Sequence, residues 1–213
     1  MAKQLGFKGK YTGLIPGGTG YKLEELCLYK QPIAERKIIL VKGYEQGFGR
    51  GLYCIKALHS IEHITQNYEV IVFGAHKKVI DYIKNNQLNF KFFERHGLSH
   101  EEVMHLMGKA IVYIRNSISD GMPNALLEAL VMGAFPIQSN PSGVTEEIIE
   151  DGVNGFLIQN PENVQEIKSH LERSLSNIAR IQKAEKLNAI IAKEQLDYTF
   201  NQAKVINIYN NLF

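Results

Sequence analysis

The sequence predicts an α/β protein built on a doubly wound, Rossmann-like parallel sheet. Short apolar, β-rich runs alternate along the chain with stretches of helical spacing. Each run is followed by a loop and a helix, so successive strands cannot pair as hairpins. They must lie parallel, with right-handed crossovers covering both faces of the sheet. At 213 residues the chain is long enough to bury one sizeable core.

Residues 1–36 are turn-rich: "GFKGKYTGLIPGGTGYK" holds one proline and six glycines, and the segment reads as a connector with a short strand inside irregular turns. Regular patterning begins at Lys37 and defines a main domain over residues 37–192. Within it "KIILVKGY" predicts a strand, and "GLYCIKALHSIEHI" predicts the helix after a glycine-rich loop. The rhythm repeats as "YEVIVFGA" then "KKVIDYIKNNQ", as "NFKFFERHG" then "SHEEVMHLMGKA", and as "IVYIRNS" then "PNALLEALVMG". A fifth strand, "AFPIQSN", precedes a helix expected to start near "TEEIIEDG". A sixth, "GFLIQN", precedes the helix "ENVQEIKSHLERSLSN". Residues 193–213 form a terminal helix whose apolar stripe is Phe200, Val205, Ile208, Leu212 and Phe213.

Composition excludes several classes. Hydrophobic residues make up 45% and charged residues 22%, as in ordinary globular domains and unlike disordered chains. A formal charge of +2 supplies no global field for nucleic acid. Cys27 and Cys54 lack CxxC spacing, which argues against a zinc or redox motif and makes both packing residues. No signal peptide begins the chain, and no stretch approaches the ~20 apolar residues of a membrane span. A cytoplasmic protein, in peripheral contact with the inner face of a membrane at most, is the expectation.

Ligands of such sheets sit beyond the carboxyl ends of the strands, which directs attention to loops 42–51, 73–77, 94–100, 115–123 and 138–146. The first, "KGYEQGFGRG", puts Lys42 and Arg50 among glycines that include Gly49. A backbone approaching a phosphate beside two cations fits these residues, and so does a flexible turn with solvated cations. In the fourth loop, Pro123 suits the first helical position, and the free amides after it make an anion site beside Gly121 and Met122. Asp120 precedes that helix and Glu128 lies inside it, flanked by Leu126, Leu127 and Leu130. A loop acid near a positive helix end and a solvent-facing helical acid are their alternative readings. His76 and His96 fall in strand-end loops, and the other histidines read as surface or packing residues. His59 and His63 lack the glutamate of HExxH. Phe90, Phe92 and Phe93 read as core strand residues.

The stretch "SISDGMPNALLEALVMGAFPIQSNPSGVTEEIIEDGVNGFLI" resembles the nucleotide-sugar-binding segment of retaining GT-B glycosyltransferases of the GT4 type, whose signature is an acid, seven residues and a glutamate. Asp120 and Glu128 fill those positions, with Asp120 where glutamate is usual. The resemblance runs from the "KGYEQGFGRG" loop over roughly residues 37–165. It departs at Ser142, where a second glycine is common, and at Lys42 and Gly43, where Gly-Arg is common.

The resemblance implies that Glu128 accepts hydrogen bonds from the donor's ribose and that Asp120 meets hydroxyls of the donor sugar. It implies that Arg50 faces the diphosphate, with Lys42 and Gly49 in the same loop. The amides of Gly121, Met122, Asn124 and Ala125 would lie where phosphates rest, and Ser117 matches a common family serine. Cations and a helix N-terminus suit the charge that grows on a departing diphosphate, so no cofactor or metal is expected. The acids would position hydroxyls and would not act as a hydrolase pair. The expected partners are a nucleotide sugar, a glycan or glycolipid acceptor, and an N-terminal GT-B domain in cis or in trans. A nucleotide-sugar-binding module without catalysis is the alternative. An NAD-dependent oxidoreductase fits less well, because the first loop lacks GxGxxG and no acid ends the second strand.

Overall fold

In "KIILVKGY" every residue from Ile38 to Val41 is apolar, as a strand covered on both faces requires. In the computed structural model, which describes residues 4, 6–9 and 20–211, these residues form the inner strand β1 (Ile38–Lys42). Ile39 and Val41 enter a core on one face, Ile38 and Leu40 a second core on the other. Before it come helix α1 (Leu23–Leu26) and two 3₁₀ turns, and Tyr21 forms an isolated bridge to Asp197; residues 10–19 of the stretch in which a short strand is expected lie outside the described residues. Residues of this segment pack onto the domain. Ile33 joins the first core, and the buried Arg36 guanidinium donates to the carbonyls of Gln31 (2.8 Å) and Ala110 (3.1 Å).

The chain then alternates as α2 (Gly51–His59), α3 (Glu62–Thr65), β2 (Glu69–Ala75), α4 (Lys77–Asn85), β3 (Lys91–Glu94), α5 (His100–Lys109), β4 (Ala110–Arg115), α6 (Asn124–Val131), β5 (Phe135–Ser139), β6 (Phe156–Ile158), α7 (Val164–Leu175), α8 (Ile178–Ile191) and α9 (Tyr198–Asn210). All strand pairs are parallel, in the order β3-β2-β1-β4-β5-β6. The direction of winding reverses between β1 and β4, and a crevice opens there beyond the strand ends.

Four local expectations change. The single helix over residues 51–64 is interrupted: the Ser60 hydroxyl donates to the Ala57 carbonyl (2.7 Å), and Ile61 leaves helical geometry to become fully buried. Pro123 is the N-cap of α6, with extended ψ 125, and Asn124 is its first helical residue. The helix expected near Thr145 is a 3₁₀ turn, Val144–Glu147, entered through left-handed Gly143 (φ 74). Its Thr145 hydroxyl donates to the Ser139 carbonyl (3.1 Å) and its Thr145 amide to Asn140 Oδ1 (3.2 Å), bonds that compete with a longer helix. The helix α8, finally, has no counterpart among the expected elements.

Cys54 is a core residue, whereas Cys27 is exposed. The aromatic side chains of Phe90, Phe92 and Phe93 are half-buried and pack on the core from the sheet edge. Along α9 only Asn201 is buried; Val205 and Ile208 are half-covered and Phe200 is 51% exposed, so these residues make no continuous buried stripe. Leu212 and Phe213, the other members of that expected stripe, lie outside the described residues.

Candidate functional site

The crevice at the winding reversal is walled by the loops after β1 and β4. These are stitched together by backbone: Gly49 and Ser117 form an antiparallel bridge, the Ile118 amide donates to the Phe48 carbonyl (2.8 Å), and the Arg50 amide donates to the Asn116 carbonyl (3.0 Å). The Asn116 side-chain amide donates to the carbonyls of Arg50 (3.1 Å) and Pro161 (2.6 Å), tying in the segment before α7. Gly51 has no room for a side chain: a Cβ there would lie 2.9 Å from the Gly43 carbonyl carbon and 3.0 Å from the carbonyl oxygens of Lys42 and Tyr44. Ser117 is buried, its amide donating to Ser139 Oγ (2.9 Å) and its hydroxyl 3.3 Å from the same atom, so it knits β4 to β5.

Side chains alternate along a strand, so Lys42, the last residue of β1, falls on the face of Ile38 and Leu40. Arg115, the last of β4, falls likewise on the face of Tyr113. Lys42 Nζ lies 5.7 Å from the Phe73 ring centre. Burial, then the neighbouring Arg115, depress its pKa below the lysine range, with Glu128 and Asp120 pulling the other way and Arg95 adding to the depression. Arg115 was not singled out by the sequence reading, and its guanidinium forms an ion pair with Asp120. The Asp120 carbonyl accepts from Ser142 Oγ (2.8 Å), so the residue that departs from glycine holds this loop.

Glu128 is carried into the same space by the first turns of α6, its side chain 13% exposed. His100 Nε2, at the start of α5, lies 2.9 Å from Glu128 Oε1. The ring of Tyr21 packs nearby, its phenol pushed far up by burial and by the charge of Glu128. The amides of Asn124 and Ala125 belong to the first turn of α6, where a helix leaves N–H groups without internal acceptors. Gly121 is exposed and Met122 half-buried just before it.

Arg50 stands apart. Its Nε donates to Glu162 (2.7 Å), and Nη1 donates to the carbonyls of Gly47 (3.0 Å) and Gly49 (2.9 Å). The structure thus brings Lys42, Asp120 and Glu128 together, while the Arg50 guanidinium is held by Glu162 and two carbonyls of its own loop.

Beside Lys42 lies a cavity of about 330 Å³ lined in part by Phe73, Glu94, Arg95, His96 and Arg115. His96, one of the two histidines in the strand-end loops, adopts left-handed backbone geometry (φ 66) at its edge, a conformation uncommon outside glycine. His76 instead caps α4, its Nδ1 accepting from the Lys78 amide (3.4 Å). His170 is buried against Phe156 and donates to the Leu157 carbonyl (3.1 Å), a packing role. Among the described residues no group of three or more His, Cys, Asp or Glu side chains is placed to hold a metal. Nor, among them, is any helix long and apolar enough to cross a membrane.

A parallel sheet wound in this order, with acids and cations gathered at its reversal, defines a doubly wound, Rossmann-like class of α/β domain. The family described as glycosyl transferases group 1 matches residues 51–195, and the chain belongs to it. The oxidoreductase alternative lapses with that membership. A search among curated proteins gave no match.

Solved GT-B structures share the fold. HepE from Anabaena, in complex with UDP and glucose, is 19% identical with a TM-score of 0.67, over 89% of this chain and 55% of that one. A glycosyltransferase from Rickettsia africae is 20% identical (TM-score 0.68; 93% and 52% covered). Sucrose-phosphate synthase from Thermosynechococcus elongatus is 16% identical (TM-score 0.72; 100% and 55% covered). The chain spans about half the length of these structures and has the doubly wound fold of one half of a GT-B architecture.

Proposed function

We propose that this chain is the donor-binding part of a retaining glycosyltransferase, which takes its sugar from a nucleoside diphosphate and delivers it to a glycan or glycolipid acceptor in surface polysaccharide synthesis. The observation that carries the reading is the gathering of Asp120 and Glu128 around Lys42 at the N-terminus of α6. In this reading Glu128 accepts hydrogen bonds from the ribose, Asp120 meets hydroxyls of the sugar, and Lys42 with the amides of Asn124 and Ala125 faces the diphosphate. Those groups answer charge that develops on the leaving diphosphate without a metal ion. The UDP and glucose held by the Anabaena structure are the ligand chemistry this proposal borrows.

Transfer also needs an acceptor surface. Because the chain spans about half of the matched structures, we assign that surface to an N-terminal GT-B domain, in cis or in trans, that holds the acceptor in line. Positioning of this kind accounts for about 7–11 kcal/mol of barrier lowering.

Calorimetric titration with nucleotide sugars in chelator tests the proposal. Binding is expected in the wild type, and Glu128→Ala is expected to weaken it by about 1.5–3 kcal/mol, the scale of hydrogen bonds to a charged group. Absence of binding, or unchanged affinity in a folded Glu128→Ala protein, contradicts the assignment. A binding module that catalyses nothing would give the same titration. A transfer assay with and without a separately made N-terminal domain distinguishes the two.

A further inference from the structure

Three cations, Lys42, Arg95 and Arg115, face one cavity of about 330 Å³. Burial and the like charges of Arg115 and Arg95 oppose the charge on Lys42, and the carboxylates of Glu128 and Asp120 offset them only in part; Glu94 lines the same cavity. On the same face of the sheet Tyr113 is fully buried, and its hydroxyl has no hydrogen-bond partner among the described residues. The ring lies 6.4 Å from Phe73, which lines the same cavity. Three guanidinium and ammonium groups lining one cavity suit an anionic ligand that accepts hydrogen bonds.

The two arginines near this crevice are held differently. Arg50 is bound by a carboxylate and two backbone carbonyls, on the side of the segment that leads into α7. Arg115 ends β4 inside the crevice, and the acid it pairs with is Asp120, which the proposed function gives to the donor sugar. A guanidinium presents a planar fork of donors that matches two phosphate oxygens.

We propose that Arg115 is the arginine that binds the donor's diphosphate, and that Asp120 is its counter-ion while the site is empty. On donor arrival the guanidinium exchanges the carboxylate for phosphate oxygens, and the released carboxylate accepts hydrogen bonds from the sugar. No covalent bond changes in this exchange. The inference rests on the proposed donor site and adds a specificity residue to it.

Titration of the full chain with UDP, GDP and ADP, carrying the tightest forward together with its nucleoside, tests the exchange. Arg115→Gln is expected to lower affinity for the diphosphate by about tenfold or more, the effect of a lost charge-assisted contact. Its affinity for the nucleoside is expected to stay within about twofold, since a neutral ligand offers this charge nothing to pair with. Asp120→Asn is expected to raise affinity for the bare diphosphate by about threefold, because the arginine is released from a competing charge. If Arg115 merely held Asp120 in place, both variants would shift affinity in the same direction. That result, or unchanged diphosphate affinity in Arg115→Gln, overturns the inference. Arg115→Lys keeps the charge without the fork, and a selective loss for the diphosphate is expected there even if the glutamine variant does not fold. A wild type that binds none of the three diphosphates overturns the donor site and the inference together. Wild-type binding that Arg115→Gln and Arg115→Lys leave untouched overturns the inference alone.

Discussion

Two arginines stand at the strand ends beside acids, and the surroundings of each decide what it can do. Arg50 is tied to the segment before α7 by Glu162 and to its own loop by the carbonyls of Gly47 and Gly49. Arg115 belongs to the opposite face of the sheet and shares its cavity with Lys42 and Arg95. The first pair closes a loop, while the second keeps a cation at a place where cations repel. An ion pair therefore says little about function until the remaining donors, acceptors and like charges around it are counted.

The comparison breaks most completely if the shared backbone of the two sides is disturbed. Gly51→Ala places a Cβ against the Gly43 and Lys42 backbone, and is expected to cost about 1–3 kcal/mol of stability, as other overpacked sites do. Denaturant unfolding checks this, and an unchanged midpoint would show that the loop yields freely.

A second effect separates the sides by pH. The pKa of free Lys42 lies below the lysine range, first through burial and then through Arg115, and a bound diphosphate would raise it. Binding then takes up a proton, so affinity is flat below the depressed value and falls as pH rises from it toward the ligand-bound value. Removing Arg115 lessens the depression and moves the fall to higher pH. Titrations from about pH 7 to about pH 10, spanning the ordinary lysine range, in buffers of different ionisation enthalpy, would reveal the proton. Identical profiles in wild type and Arg115→Gln would contradict the coupling.

A smaller effect is expected at the Arg50 pair. Glu162→Gln should lower stability by less than about 1 kcal/mol, the usual worth of an exposed pair, since half of the Glu162 side chain is open to solvent. Diphosphate affinity should stay within about twofold, because the Gly47 and Gly49 carbonyls still hold Arg50. A marked rise in affinity would show Arg50 moving onto the ligand and would erase the distinction. The smallest expected change is that of His100→Ala. His100 contacts Glu128 but is 71% exposed, so freeing the carboxylate should improve binding by no more than about threefold.

The strands were legible because their apolar runs end in charges or glycine, and the acids of the α6 segment because of their spacing. Arg115 was legible in principle. Lys42 and Arg115 are each the first charge at the end of an apolar run, "IILVK" and "AIVYIR", and a residue in that position projects into the crevice. What concealed it was the glycine-rich loop, which directed attention to Arg50, while the acid that holds Arg50 lies far away at Glu162.

Helix α8 was hidden for another reason. It buries Ile181, Ala184 and Asn188, and a small and a polar residue leave little periodic signal. Asn188 is buried because it exchanges hydrogen bonds with Asn154, each 2.9 Å long. The turn at Thr145 and the break at Ile61 follow from side-chain bonds to nearby backbone, which residue spacing does not reveal.

The bridge between Gly49 and Ser117, with its flanking bonds, has a thermodynamic meaning beyond geometry. Fixing each loop residue costs about 1–2 kcal/mol of conformational entropy, and the bridge moves that expense to the folding step. A ligand entering the crevice then finds a wall already ordered, which favours affinity by preorganisation. Opening the bridge would charge the same entropy to every ligand alike, nucleoside and diphosphate equally, whereas loss of a phosphate cation discriminates between them.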